Sequence, residues 1–187
     1  MTFTETPLPG AYIIEPDQFR DERGFFARSW CRDELARQGL DPSVAQMNIS
    51  YNFRRGTLRG MHFQQSPHEE VKIVRCTRGR VFDVLLDLRP ESPTYLKWFG
   101  VELSADNYRM LYIPKRFGHG YQTLEDHSDI FYLVSAFYAP AHASGVLYND
   151  PAFGIHWPLE VSEISEKDRS WPAFDGRPIF PEPGVKP

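Results

Sequence analysis

Short apolar runs separated by turn residues recur along most of the chain. The clearest pair is VKIVRC at 71–76 and VFDVLLDLR at 81–89, which are separated by TRGR. A glycine-containing linker of this length predicts that the two segments pair as an antiparallel hairpin. The other strand candidates are AYIIEP at 11–16, GFFARSW at 24–30, TLRGMHFQ at 57–64, YLKWFGVEL at 95–103, RMLYIP at 109–114, GYQTLE at 120–125 and DIFYLVSAFY at 129–138. About nine short strands with turn signals between them predict an all-β sandwich or barrel.

Two short helices are predicted outside these strands. CRDELARQGL at 31–40 has Ser29 as a candidate N-cap and Gly39 near its end, and a second helix begins at Ser165 in SEKD. From Trp171 onward the chain is rich in proline, which predicts irregular structure lying over the body. Because the chain has 187 residues and no internal repeat, we expect one domain over 1–187.

Composition and charge exclude several classes of protein. The chain has 21 Lys and Arg against 25 Asp and Glu, with no basic stripe, so we expect no nucleic-acid partner. Cys31 and Cys76 lie far apart without a CxxC motif, which favours a reducing compartment over a disulfide framework. The N-terminus lacks the order of a signal peptide, and no run approaches the roughly 18 apolar residues of a membrane helix. We therefore expect a cytoplasmic protein with no membrane partner.

Two segments resemble the metal motifs of cupin barrels. These are GMHFQQSPHEE at 60–70 and IPKRFGHGY at 113–121. A transition metal needs at least three nitrogen or oxygen ligands in fixed geometry, and Gln64 stands where a cupin would place its second histidine. Since a neutral amide is a poor ligand, His62 and His119 alone do not complete a site. We expect no metal and no cofactor.

His62 and Lys72 are the first candidates for chemistry. In a strand, His62 shares its face with Gly60 and Gln64 unless a bulge intervenes, and it either hydrogen-bonds locally or transfers a proton. Lys72 alternates with apolar neighbours, so it either reaches back to the surface or holds an anion inside. The residues alone leave both choices open.

Tyr132, Tyr138 and Asp168 each have a structural alternative. The two tyrosines are six residues apart and so share a strand face, where ordinary packing with one partner for each hydroxyl would explain them. Asp168 falls third after Ser165, as in a helix-capping pattern. The residues alone favour this structural role for Asp168.

Several blocks carry a resemblance to a known family. They are DERGFF at 21–26, QMNIS at 46–50, TLRGMHFQ at 57–64, VKIVRCTRGRVFDVLLDLR at 71–89, SPTYLKW at 92–98, IPKRFGHGY at 113–121, YNDP at 148–151, IHWP at 155–158 and ISEKD at 164–168. In order and spacing they resemble the dTDP-4-dehydrorhamnose 3,5-epimerases over residues 5–175. The resemblance implies a metal-free, cupin-type jelly-roll barrel, usually a homodimer with exchanged N-terminal strands. Its expected substrate is a nucleotide-diphosphate-linked 4-keto-6-deoxy sugar.

The resemblance also assigns roles to residues. It implies that His62 is the general base, Asp168 its orienting partner, Lys72 the cation near the sugar ketone and Tyr132 the acid on the opposite ring face. These types suit the chemistry, because a proton beside a ketone is removed more easily when the enolate oxygen meets a positive charge. The candidates for substrate and nucleotide binding are Arg23, Arg28, Gln46, Asn48, Arg59, His119, Tyr138 and Lys167.

Two positions depart from the family pattern. Arg28 and Ala143 stand where the family commonly has glutamate, and both positions belong to the nucleotide and substrate pocket there. The leading expectation is an epimerase that inverts C3, C5 or both in dTDP-4-dehydro-6-deoxy-D-glucose, giving dTDP-4-dehydro-L-rhamnose. The alternatives are a mono-epimerase acting on a CDP- or GDP-linked sugar, a heptose or an antibiotic sugar, and a barrel that binds a nucleotide sugar without catalysis. A metal-dependent oxygenase would require bound metal.

Overall fold

β-Strands dominate the computed structural model, which describes residues 1–181. The strands are β1 (Thr2–Glu5), β2 (Tyr12–Glu15), β3 (Gln18–Asp21), β4 (Gly24–Ala27), β5 (Gln46–Asn52), β6 (Thr57–Gln64), β7 (Lys72–Arg78), β8 (Arg80–Asp87), β9 (Trp98–Ser104), β10 (Met110–Ile113), β11 (Phe117–Thr123), β12 (Ser128–Val134), β13 (Ala143–Gly145) and β14 (Glu163–Ile164). The helices are α1 (Arg32–Arg37) and α2 (Glu166–Arg169).

Two sheets form the barrel. The first has the strand order β1-β2-β10-β7-β12-β5, and the second has the order β13-β6-β11-β8-β9, with β14 parallel to β6. Their inner faces share one core, in which Val74 and Leu111 of the first sheet pack with Val81 and Leu85 of the second. The expected all-β, cupin-type jelly-roll barrel with a few short helices is confirmed.

The predicted hairpin between β7 and β8 is wrong. β7 pairs with β10 and β12 in the first sheet, whereas β8 pairs with β11 and β9 in the second. The chain crosses between the sheets at Gly79. Its φ of +72° is a conformation that glycine adopts without strain, and a Cβ added at this position would lie 2.5 Å from Ser128 Oγ. Apolar residues of both strands face the shared core, so burial between the sheets prevails over local pairing.

The N-terminal helix starts later than predicted. Its N-cap is Cys31, which makes no side-chain capping bond, so Ser29 is not the cap. The reason is that Cys31 is extended, with φ −151° and ψ 118°, and the helical turn cannot include the residues before it. Gly39 follows the helix with a φ of +72°, as its position near the end predicts.

The segment predicted as one strand over 24–30 is shorter and lies apart from the barrel sheets. β4 ends at Ala27 and pairs only with β3, which forms a separate two-stranded sheet. Phe19 and Phe26 on this hairpin are largely exposed.

The Pro-rich tail lacks helix and strand over residues 171–181, and Phe180 anchors it by packing against Phe63. The prediction for the tail also covers residues 182–187, which lie outside the described part of the chain. No helix in residues 1–181 has the length and apolar character needed to cross a bilayer.

Candidate active site

A cavity of about 820 Å³ opens between the two sheets. The first sheet lines it from β5, β7 and β12, while the second lines it from β6, β13 and β14 together with α2. Its lining includes most of the candidates from the sequence: Gln46, Asn48, Arg59, His62, Lys72, Tyr132, Tyr138, Lys167 and Asp168. A site of this volume falls within the range of small-molecule pockets.

His62 and Asp168 form a hydrogen-bonded pair on one wall. His62 Nε2 lies 2.7 Å from Asp168 Oδ1, and the backbone N–H of Gly60 donates to Oδ2 at 3.2 Å. Asp168 is buried, whereas the His62 side chain is 41% exposed. Burial alone would raise the pKa of Asp168, but the hydrogen bonds from His62, Gly60 and Ser165 lower it overall. Because an ionised carboxylate only accepts hydrogen bonds, it holds the proton of neutral His62 on Nε2 and leaves the lone pair on Nδ1.

The short helix α2 brings Asp168 to this position. Ser165 is its N-cap, and its hydroxyl accepts a hydrogen bond from the backbone N–H of Asp168 at 3.1 Å. Ser165 therefore caps the helix as predicted, but the Asp168 side chain does not reach back to the cap, because its carboxylate contacts His62 and the backbone N–H of Gly60. The backbone N–H of Asp168 thus contributes to the helix cap, and its carboxylate pairs with His62.

A bulge in β6 sets which side chains reach the cavity. His62 pairs with His119, but Arg59 pairs with Tyr121, so β6 holds one more residue than β11 between these points. Gly60 lies in the bulge with a φ of +134°, and a Cβ there would lie 2.5 Å from Gly120 Cα. As a result, Arg59 and His62 both line the cavity although their odd spacing predicts opposite faces.

Lys72 lies on the wall formed by the first sheet. Its Nζ is 3.2 Å from Glu70 Oε1, and the side chains of Lys72 and Glu70 are 12% and 11% exposed. Of the two alternatives left by the sequence, the structure places this ammonium inside rather than at the surface. Sequence reasoning missed Glu70, although an acid two residues before a lysine in an extended segment shares its face.

Gln64 has a structural place in the cavity wall. Its Nε2 donates to the backbone oxygen of His68 at 3.0 Å, and its Oε1 accepts from the backbone N–H of Ala139 at 2.7 Å. The amide thus joins the end of β6 to the chain after β12. Within residues 1–181, no three His, Cys, Asp or Glu side chains are grouped to hold a metal ion.

Tyr132 reaches the cavity from β12. Its burial raises the pKa of the phenol, the negative charge of Glu70 raises it further and the charge of Arg59 acts in the opposite direction. The net pKa lies above the ordinary value, so the hydroxyl is protonated at neutral pH and can donate.

Tyr138 does not share a strand face with Tyr132 as the spacing predicts. β12 ends at Val134, and the chain bends at Ser135 and Ala136 before it reaches Tyr138. Tyr138 nonetheless lines the cavity, and its backbone N–H donates to Gln46 Oε1 at 2.7 Å.

Three predicted binding residues lie outside the cavity lining. His119 is buried on β11, where its Nε2 is 2.9 Å from Asp83 Oδ1. Arg23 is exposed in the β3–β4 hairpin and pairs with Asp21, and Arg28 pairs with Glu34 of α1. The structure of one chain therefore does not bring His119, Arg23 or Arg28 to the cavity surface. Ala143 does line it.

Comparison with known proteins agrees with this geometry. The family model described as dTDP-4-dehydrorhamnose 3,5-epimerase matches residues 5–176. The Salmonella typhimurium protein of that name is 41% identical over 94% of this chain and 96% of its own length. The chain therefore belongs to the dTDP-4-dehydrorhamnose 3,5-epimerase family.

Solved structures of relatives extend the comparison. The crystal structure of dTDP-4-dehydrorhamnose 3,5-epimerase from Bacillus anthracis, with TDP and PPi bound, has a TM-score of 0.89 and 42% identity, and the match covers 92% of this chain and 99% of the other. ChmJ, a 3'-monoepimerase from Streptomyces bikiniensis solved with dTDP-quinovose, has a TM-score of 0.81 and 34% identity, covering 90% and 85%. The fold is thus shared by relatives whose named specificities differ.

Proposed function

We propose that the protein is a carbohydrate epimerase that converts dTDP-4-dehydro-6-deoxy-D-glucose to dTDP-4-dehydro-L-rhamnose by inverting C3 and C5. One observation carries the proposal: His62 of β6 with Asp168 of α2 lines one wall of the cavity, and Lys72 and Tyr132 of the first sheet line another. A base and an acid on different walls can act on different faces of a sugar ring. Membership of the epimerase family supports the same reaction.

The mechanism follows from the chemistry of these groups. His62 Nδ1 takes the proton from the carbon beside the C4 ketone, and the electron pair of the broken C–H bond moves to the ketone oxygen as an enolate. Asp168 stabilises the imidazolium, and the Lys72 ammonium stabilises the enolate oxygen. Tyr132 then donates its hydroxyl proton to the carbon from the other face. The same ketone activates both C3 and C5, so one set of groups can serve both centres once His62 has released its proton to water, Tyr132 has taken one up from water and the sugar ring has turned.

The rest of the lining suits a nucleotide diphosphate. Arg59 and Lys167 supply positive charge, and the Arg59 guanidinium is oriented by its Nε donating to Asn52 Oδ1 at 2.8 Å. A guanidinium fork binds phosphate oxygens well. Gln46 and Asn48 offer amides for the nucleotide base.

A homodimer is part of the proposal. Phe19 and Phe26 on the β3–β4 hairpin are exposed, as are Met47 and Ile49 on the edge strand β5, and large exposed apolar side chains of this kind favour burial against a second copy. In such a dimer the hairpin reaches the partner, which would give Arg23 and Arg28 a route to the nucleotide. The two free cysteines are in keeping with work in the cytoplasm.

A mono-epimerase is the second candidate. Ala143 lines the cavity where the family commonly has glutamate, and ChmJ has the same fold with a named 3'-monoepimerase activity. The loss of an acidic side chain from the lining at Ala143, together with Arg28, favours a substrate with a different nucleotide or sugar. The two candidates differ in the number of carbons that exchange protons.

Deuterium incorporation tests the reaction. The protein is incubated with dTDP-4-dehydro-6-deoxy-D-glucose in heavy water, and the product is read by NMR and mass spectrometry. Exchange at C3 and C5 that is lost in His62→Ala but kept in His156→Ala, an exposed histidine outside the cavity lining, supports the double epimerase. Exchange at one carbon selects the mono-epimerase. No exchange with this substrate or with CDP- and GDP-linked 4-keto sugars rejects catalysis.

Sedimentation velocity tests the dimer. Ile49→Asp places a charge on the exposed apolar face and is expected to give monomers, whereas Thr77→Asp, at an exposed polar position, should leave the dimer intact. A monomeric wild type would reject the dimer.

A further inference from the structure

Glu70 lines the cavity beside Lys72, on the wall formed by the first sheet. The proposed reaction gives this carboxylate no role. Its Oε1 lies 3.2 Å from Lys72 Nζ, and its Oε2 accepts a hydrogen bond from Gln64 Nε2 at 3.2 Å. Gln64 is itself fixed by three backbone groups, those of His68, Phe137 and Ala139, so the carboxylate is held from behind by a rigid amide. The Glu70 side chain, 11% exposed, therefore presents a fixed negative charge to the cavity.

The buried negative charge of Glu70 acts on both Lys72 and Tyr132. Lys72 carries its ammonium on a flexible stem, and the ion pair with Glu70 restricts where that ammonium lies. Tyr132 lines the same cavity, where burial raises the pKa of its phenol and the negative charge of Glu70 raises it further. Arg59 acts in the opposite direction.

Several other charged or titratable groups surround these three. Arg116 lines a small void behind Glu70 and Lys72. The remaining groups line the main cavity: Arg59 and His62 on β6, Tyr138 after β12, Glu163 on β14, and Lys167 and Asp168 on α2. Of the carboxylates in this set, Asp168 is committed to His62. Glu70 forms an ion pair with Lys72.

We propose that Glu70 is a positioning residue for the reaction: its carboxylate fixes the Lys72 ammonium at the wall of the cavity that also carries Tyr132. The inference rests on the proposed epimerase function. It adds a second carboxylate with a separate purpose, since Asp168 orients the base while Glu70 orients the cation.

The closing experiment compares Glu70→Gln with Glu69→Gln. The two changes remove the same charge from adjacent residues, but Glu69 does not line the cavity. Glu70→Gln is expected to lower kcat about tenfold with KM changed less than about twofold, because the lost charge no longer anchors Lys72. Its basic limb of kcat against pH should move to lower pH, since the negative charge of Glu70 raises the pKa of the Tyr132 phenol.

Glu70→Asp separates charge from shape. It keeps the negative charge with a shorter stem, so its basic limb should stay at the wild-type pH even if kcat falls. A basic limb that is unmoved in Glu70→Gln, or that moves equally in Glu70→Asp or Glu69→Gln, overturns the inference.

A substrate-free measurement keeps this result separate from the proposed function. Tyrosine labelled with ¹³C at Cζ is titrated by NMR, and Tyr132→Phe assigns the signal. The Tyr132 titration midpoint is expected to fall in Glu70→Gln and to stay in Glu69→Gln. If the wild type catalyses no exchange, the proposed reaction fails, but the NMR midpoint still shows whether the Glu70 charge acts on this wall of the cavity. An unchanged midpoint overturns the inference.

Discussion

His62 Nε2 lies 2.7 Å from Asp168 Oδ1 although the two residues are 106 positions apart in the chain. The other carboxylate oxygen accepts from the backbone of Gly60, two residues before the histidine. One side chain therefore contacts both the imidazole and the strand that carries it. This double contact fixes the ring, which lines the cavity, relative to β6.

Replacing Asp168 by asparagine tests the orientation of the base. An amide N–H facing His62 favours the tautomer with its lone pair on Nε2, so Nδ1 would carry the proton and could not accept one. We expect kcat to fall by about 10²-fold or more in Asp168→Asn, with KM changed little. Steady-state kinetics measures both. Glu166→Gln on the same helix is the control, because Glu166 is exposed and should behave as wild type.

Removing the Tyr132 hydroxyl separates the two halves of the reaction. In Tyr132→Phe the base remains, so the substrate should still exchange its proton with heavy water, while inversion loses its acid and falls by about 10²-fold. NMR of the unreacted substrate and of the product reports both quantities. Tyr12→Phe, whose hydroxyl is outside the cavity lining, should retain inversion. Equal loss of exchange and inversion in Tyr132→Phe would contradict the assignment of this residue as the acid.

The elements of the fold that depend on local pattern could be predicted from the sequence. The alternation in TLRGMHFQ identifies β6, and the capping pattern SEKD identifies α2, because each depends only on neighbours in the chain. The pairing of β7 and β8 could not be predicted in this way. A short linker is compatible with a hairpin and with a crossing between sheets, and the buried residues of both strands decide between them.

Some features of the candidate site could likewise be predicted from local pattern, and others could not. The candidates on β6 and α2 could be named from motifs, but their meeting depends on the extra residue in β6 that only the register with β11 reveals. Glu70 was missed because its spacing from Lys72 puts the two side chains on one face but does not say whether that face meets a cavity or solvent. Arg23 and Arg28 lie outside the cavity lining of their own chain. The sequence does not show whether an arginine contacts a ligand bound to its own chain or to a partner chain.

The bulge at Gly60 should tolerate no side chain. In Gly60→Ala the new Cβ would meet Gly120 Cα, a backbone atom, at 2.5 Å, and the φ of +134° is strained for alanine. We expect the free energy of unfolding to fall by about 2 kcal/mol or more and His62 to lose its alignment with Asp168. Urea unfolding and kinetics measure the two effects.

Gly154→Ala is the matched control for that substitution. Gly154 also has a positive φ, +59°, but no atom lies within 4 Å of the added Cβ. It should therefore show only the backbone strain, about 1 kcal/mol, with kcat retained. If the two alanine variants lose equal stability, the contact with Gly120 is not what requires glycine at position 60.

The last prediction concerns Asp87, which ends β8 and has no exposed side-chain surface. Its carboxylate accepts from Arg89, Ser92 and Thr94, at 2.6 Å for Ser92 and 2.7 Å for Thr94. Burial alone would raise the pKa of Asp87, but these hydrogen bonds lower it overall. The connection from β8 toward β9 thus depends on an ionised carboxylate.

Asp87→Asn should lower the free energy of unfolding by about 2–3 kcal/mol at pH 7, because charge-assisted hydrogen bonds are lost in a buried place. A folded-state pKa below the unfolded value means that the unfolded chain binds the proton more readily. The stabilisation by Asp87 is therefore fully present above the ordinary value of about 4 and is lost as the pH falls through the lower, folded-state pKa. Urea unfolding from pH 7 to pH 3 should show the difference between wild type and variant shrinking below about pH 4. Asp175→Asn removes the same Asp-x-Arg pairing from an exposed site and should leave the midpoint unchanged at every pH, so a loss equal to that of Asp87→Asn would show that burial does not strengthen the network.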